Sequence, residues 1–326
     1  MRRVLLVLAL FLGARAASAA CELQLMAEIP ADLLGRRGLR PVVSAIINGA
    51  EGRFLFDTGA SAGLIAAGSL AKFGLSAEQA ETVQIKSFGK LFDARQITTK
   101  ELRFAAWSIS GHSLVVIDQP LVSGTDGALG EAEMTDFDME IDLPHRAVRF
   151  YKPSDCSAAE LAYWAKPGQV HHIELDPFTR EHNRIFGPVS INGATFRALF
   201  DTGASDTGLT RQTAETAGVH PGSEGVTEDG QVRGVGPEAL KNWKATFTEF
   251  AIGGETVAHP VFGFSDKTNA SADLIVGADF FKRHRVYVAK RQHVMAFTDE
   301  GTNSFGIDWD RAPNTSAEAI PAATRQ

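Results

Sequence analysis

Residues 47–61 read INGAEGRFLFDTGAS, and residues 191–205 read INGATFRALFDTGAS. Twelve of the fifteen positions are identical, and one offset of 144 pairs Asn48 with Asn192, Arg53 with Arg197 and Asp57 with Asp201. Identity this dense at constant spacing marks a duplicated unit. The register continues outward. Gly68 to Leu75 answers Gln212 to Val219, two helix-like stretches that each close on a glycine (Gly74, Gly218) suited to a C-terminal cap. Trp107 to Gly111 parallels Phe250 to Gly254, and Ala128-Leu129-Gly130 parallels Ile275-Val276-Gly277 at an offset of 147. Two lobes of like fold in tandem are expected.

Short apolar runs, such as 42–47, 54–56, 114–117, 147–151, 198–200 and 286–288, are punctuated by Asn-Gly, Gly-Gly and Asp-Gly turns, so the fold class is all-β. The lobes are expected over residues 21–152 and 171–308. The linker between them, 153–170, carries Lys-Pro pairs at both ends and a short helical stretch at 158–164. After Trp309 the chain turns to Ala, Pro, Thr and Asn without periodicity, so 309–326 is expected to be a flexible tail.

With 44% apolar and 22% charged residues the composition is that of a globular protein. The net charge of −7 becomes −10 once the three arginines of residues 1–20 are set aside, which argues against a nucleic-acid partner. Residues 1–20 read as a signal peptide: Arg2-Arg3, an apolar run from Val4 to Leu12, then Ala17-Ser18-Ala19-Ala20. That run is too short to span a bilayer, so an exported chain, periplasmic or secreted, without a membrane span is expected. Cys21 and Cys156 are the two cysteines, and in an oxidising compartment they are candidates for a disulfide; lipidation of Cys21 is the alternative.

The chemistry sits in the repeat. Two apolar residues followed by Asp-Thr-Gly-Ala-Ser put a carboxylate at the end of a buried strand, where glycine permits a tight turn. Related halves can bring Asp57 and Asp201 face to face. Two carboxyls at one point cannot both ionise cheaply, so the pair holds one proton and supplies an acid and a base together.

With Phe56-Asp57-Thr58-Gly59-Ala60-Ser61, Phe200-Asp201-Thr202-Gly203-Ala204-Ser205 and the later apolar-apolar-Gly elements, the chain resembles the pepsin and retropepsin superfamily of aspartic peptidases. The alanines after each motif glycine and the short lobes bring it nearer the retropepsin-like bacterial proteins. The resemblance implies a bilobal pepsin-like acid protease fold built from two retropepsin-like lobes. It also implies a water activated between Asp57 and Asp201, with Thr58, Gly59, Ser61, Thr202, Gly203 and Ser205 supporting the dyad. Cleft-closing flaps are expected around Gly230, Val232 and Gly234, and, poorer in glycine, around Phe88 and Gly89. Ala132 stands where the second lobe has Asp279, a departure from the pattern in the first lobe.

The expected activity is aspartic endopeptidase action on a peptide or protein substrate by a monomer, with no cofactor and no metal. Two alternatives stand beside it: a non-catalytic peptide-binding protein on the same fold, and a narrow processing peptidase for one envelope protein. A kinase-like phosphate turn is disfavoured, because no glycine-rich loop ending in lysine accompanies the motif. His171-His172 with Glu174, Asp176 and His182 read as surface residues at the linker. Arg36-Arg37 with Arg40 read as an exposed turn, the alternatives being a processing site or a short pro-segment on the cleft.

Overall fold

A computed structural model of the chain describes residues 21–87, 90–118, 121–179, 182–233, 239–266 and 271–308. The expected signal peptide, the tail from 309, and Phe88, Gly89 and Gly234 lie outside these residues.

The duplication is visible strand for strand. The first-lobe sheet runs in the order Glu81–Ser87, Lys90–Thr98, Ser113–Ile117, Leu64–Ala66, Gly127–Leu129, Ala50–Phe56, Arg40–Ile47, Glu101–Phe104, Trp107–Ser110, with Asp32–Leu34 beside Arg40–Ile47. The second-lobe sheet repeats that order: Thr227–Arg233, Ala239–Thr246, Val261–Ser265, Gly208–Thr210, Leu274–Val276, Ala194–Phe200, Phe186–Ile191, Glu249–Ile252, Glu255–Ala258. In each lobe the motif strand ends between a partner running antiparallel and a short parallel one, Gly127–Leu129 or Leu274–Val276.

The duplicated Asn-Gly turns show why the repeat keeps its asparagine. Asn48 and Asn192 both adopt φ 50°, a region asparagine tolerates better than most side chains. The Asn48 carboxamide accepts from the amides of Lys100 and Glu101 and donates to the Phe73 carbonyl at the end of the Ala67–Phe73 3-10 helix. Asn192 makes the same three bonds, to Thr248, Glu249 and Ala217. One side chain therefore ties a hairpin, a helix end and a neighbouring strand together in each lobe.

A third, six-stranded antiparallel sheet joins the lobes. Its order is Leu25–Pro30, Ala147–Tyr151, Asp138–Asp142 from the first half, then His284–Ala289, Val294–Asp299, His171–Glu174 from the second. The halves meet where Met139 pairs with Val288 and Ile141 with Val286. Met139, Ile141, Phe150, Val286 and Phe297 point into an apolar core that also holds Phe56 and Phe200. Asp138, Glu140 and Asp142 alternate with those apolar residues and are buried too, on the other face. Glu140 is held by Arg149, Arg285, Tyr151 and Tyr163, an arrangement that leaves neither of its oxygens unpartnered.

Residues 153–170 are no loose linker. A short helix, Ala158–Leu161, buries Leu161 against Tyr151 and Tyr287 of the shared sheet, and the Trp164 indole donates to Thr298. Cys156 is disulfide-bonded to Cys21, with Cα atoms 5.3 Å apart. Cys21 in that bond has no free thiol, which lipidation would require. Closing a loop of 135 residues is worth about 4–5 kcal/mol in the chain-entropy picture. The Cys21→Ser/Cys156→Ser protein is therefore expected to melt several degrees lower than the oxidised wild type. An unchanged melting midpoint would show that the disulfide contributes little to stability.

Candidate active site

Asp57 and Asp201 leave their strands at equivalent points, their amides donating to Leu129 and Val276 at 2.9 Å. Asp57 Oδ1 accepts from the Gly59 and Ala60 amides, both at 3.0 Å, and Asp201 Oδ1 from Gly203 at 2.8 Å and Ala204 at 3.1 Å. Each carboxyl is thus fixed by its own turn, and the pseudo-twofold axis brings the two within hydrogen-bonding reach of each other. A Cβ on Gly59 would overlap the Asp201 carboxyl, and one on Gly203 would overlap that of Asp57. Glycine is required here by the approach of the opposite lobe, at residues whose φ is not left-handed.

The threonines lock the lobes. Thr58 Oγ1 donates to Phe200 O at 2.9 Å and Thr202 Oγ1 to Phe56 O at 2.5 Å, while each hydroxyl accepts from the other threonine's amide. All four bonds cross the interface, and both threonines are fully buried. Ser61 and Ser205 sit at the ends of the two turns, where their carbonyls accept from Ala132 and Asp279; among the described residues their hydroxyls bond neither aspartate. The support expected of those hydroxyls is supplied by backbone.

Asp57 is 7% exposed. Burial first, and then the charge and hydrogen bond of Asp201, raise its pKa well above the ordinary carboxylate range, against the Gly59 and Ala60 amides. The direction of that shift favours the protonated form of Asp57.

The apparent defect of the first lobe is a substitution of another kind. In the second lobe Asp279 accepts from the Thr207 amide and hydroxyl, and that hydroxyl accepts from Gly277 N. In the first lobe Glu133, one residue beyond Ala132, accepts from Gly63 N at 3.1 Å and Gly130 N at 2.6 Å. One longer carboxylate replaces both the aspartate and the threonine hydroxyl. Gly63 accompanies it because a Cβ there would crowd Glu133.

Burial, with a smaller contribution from Asp206, pushes Asp279 up to about 7. Burial likewise pushes Asp138 up to about 6. Both folded values lie above the unfolded ones, so the stability these groups contribute is full below about pH 4 and is lost as pH rises through about 6 to 7. The protein is expected to melt higher at about pH 5 than at about pH 8, and Asp279→Asn to flatten that dependence. Melting curves across the range decide it; an equally steep dependence in the variant would sink the assignment.

A cavity of about 380 Å³ abuts the second motif at Gly203 and Ser205 and is also lined by Val232, Asn242 and Phe262. Over it stands the hairpin of Thr227–Arg233 and Ala239–Thr246, with Gly230 exposed at φ 65°. The Glu81–Ser87 and Lys90–Thr98 hairpin holds the matching place in the first lobe. Leu91, near its tip, is 65% exposed. An unburied leucine on such an arm is an apolar surface that composition alone did not single out.

The basic turn is not simply exposed. Arg37, at φ 63°, reaches across to Asp206 of the second lobe, and Arg40 reaches Gly203 O at 3.4 Å. Arg184, which the sequence reading overlooked, reaches Gly59 O at 3.5 Å. The constant offset of 144 was the available signal, since it pairs Arg40 with Arg184. His171 and His172 lie on the shared sheet opposite Phe297 and Ala296, and no group of three or more His, Cys, Asp or Glu is arranged to hold a metal among the described residues. Nor is any helix among them long and apolar enough to cross a membrane.

A family model described as aspartyl protease matches residues 43–131 and 187–280, one copy per lobe. The crystal structure of an aspartic proteinase from Irpex lacteus superposes with a TM-score of 0.50 at 13% identity, covering 86% of this chain and 99% of that one. At that identity the likeness is one of fold: pepsin-like, bilobal and mostly β. No curated protein sequence matches this one.

Proposed function

The chain belongs to the aspartyl protease family, and we propose that it is an active aspartic endopeptidase using Asp57 and Asp201. The observation that carries this reading is the mutual approach of the two carboxyls, each fixed by two amides of its own turn and given room by the glycine of the facing motif. The ionised carboxylate takes a proton from a water as its oxygen attacks the amide carbon, while the protonated partner donates to the carbonyl oxygen. As the resulting gem-diol collapses, the protonated carboxyl gives its proton to the amine nitrogen, the C–N bond breaks, and a gem-diol hydroxyl returns a proton to the other carboxylate, which restores the singly protonated dyad. The polypeptide segment is bound extended between the lobes, under the two hairpins.

Export of the chain fits this activity: residues 1–20 have the pattern of a leader, and a disulfide suits an oxidising compartment. Incubating an unstructured peptide mixture with the folded protein and with Asp57→Asn, from acid to neutral pH, tests the proposal by mass spectrometry. Cuts made only by the intact dyad support it. No cuts at any pH from folded protein would shift the reading to peptide binding or to a single dedicated substrate.

A further inference from the structure

Arg40 and Arg184 each stand 17 residues before an aspartate of the dyad and are related by the same offset of 144. Each crosses to the opposite lobe's motif. Arg40 Nη1 donates to Gly203 O at 3.4 Å and to Leu121 O at 3.1 Å; Arg184 Nη1 donates to Gly59 O and Nη2 to Ser271 Oγ, both at 3.5 Å. The glycines they touch are the ones that leave room for the facing carboxyls.

We propose that Arg40 and Arg184 are paired positioning residues for the dyad, each clasping the motif glycine of the other lobe and lending both aspartates a positive charge that favours their ionised form. The inference rests on Asp57 and Asp201 acting as one coupled pair. Neither guanidinium has a carboxylate within ion-pair distance among the described residues, unlike Arg37, which pairs with Asp206, and Arg197, which pairs with Asp176. Arg40 Nε is buried and unpartnered. Leaving two half-buried cations unneutralised is costly unless other anions face them. Burial lowers the pKa of both guanidiniums, and the anions that oppose it at both are Asp57 and Asp201; Asp206 adds to them at Arg40, and Arg197 acts with burial at Arg184. Asp279 and Glu133, behind the second and first turns, complete the charged surroundings of the dyad.

Arginine keeps its charge across the whole range in which carboxyls titrate, so its influence is a constant bias. A cation favours the deprotonated form; removing it raises both macroscopic pKa values of the pair. Because the two arginines are related by the pseudo-axis, they bias both carboxyls without choosing which one carries the proton.

The test is a carbon-13 NMR titration of the aspartate carboxyls in the full chain, which reads the dyad whether or not any peptide is cleaved. Arg40→Leu, Arg184→Leu, Arg40→Gln and Arg184→Gln are expected to raise the pair's titration by about half a pH unit or more. Arg40→Lys and Arg184→Lys, which keep the charge, are expected to titrate close to wild type. Should the leucine variants fail to fold, the glutamine and lysine forms carry the comparison, because glutamine keeps a donor for the glycine carbonyl and loses only the charge. Unmoved titrations in folded glutamine variants, or equal shifts in glutamine and lysine variants, would overturn the proposal. Absence of peptidase activity in wild type would overturn the proposed function and leave this measurement intact.

Discussion

Replacing Asp57 or Asp201 by asparagine is expected to lower kcat/KM for any cleaved peptide by at least about 10³-fold, and the two substitutions are expected to cost alike. The change is nearly isosteric. Asparagine Oδ1 can still accept from Gly59 and Ala60, or from Gly203 and Ala204, so the turns keep their shape. What disappears is the group that gains or yields a proton. Thr58 and Thr202 continue to bond across the interface, so the variants should melt near wild type. Activity retained within tenfold in a folded variant would exclude the dyad mechanism. Peptide binding without turnover, in wild type as in the variants, would favour the binding-protein alternative.

A second large effect on stability, also away from the cleft, is expected at a buried ion pair. Lys290, beside the shared sheet, donates to Glu131 at 2.6 Å and to Met134 O at 2.8 Å, and both side chains of the ion pair are buried. Glu131 directly follows Gly130, so this pair joins the second half of the chain to the element behind the first motif. Burial raises the Glu131 pKa and Lys290 opposes that rise. Lys290→Met leaves the carboxylate without its cation and should destabilise the protein by about 3–5 kcal/mol at neutral pH. The loss should shrink in acid, where Glu131 can take up a proton. Adding Glu131→Gln should recover much of it, since a neutral buried pair avoids the lone charge. Urea unfolding of the single and double variants checks this; a cost below about 1 kcal/mol for Lys290→Met would show the pair to be dispensable.

Most of what was legible in sequence lay in the contiguous motif that repeats with the offset of 144. Asp57, Asp201 and their threonines follow from that repetition, as do the paired lobe sheets. The shared sheet was not legible as a sheet. Its central strand, Asp138–Asp142, alternates acid with apolar residue and so has the pattern of a half-exposed strand. All five of its residues are buried because Arg149 of the adjoining strand, and Arg285 and the Lys290 amide from far along the chain, meet the acids. Glu133 was hidden for a related reason: the same hydrogen bonds were preserved by a side chain of different length at a shifted position. Arg40, basic and next to a glycine-containing turn, looks by itself like a solvated corner; only its match to Arg184 at the offset of 144 sets it apart.

The acidic strand also bears on the order in which the chain is made. Until residues 284–289 emerge, Asp138–Asp142 is the open edge of an incomplete sheet, already paired on its other side with Ala147–Tyr151. An uncovered edge invites pairing with another nascent copy. Asp138, Glu140 and Asp142 give this edge three carboxylates, of which Arg149 of the same half reaches two. Two such half-chains brought edge to edge would set acid against acid, whereas the chain's own later strand arrives with Arg285 and is followed directly by Lys290. The charge that completes the folded molecule would thus also disfavour pairing between unfinished copies.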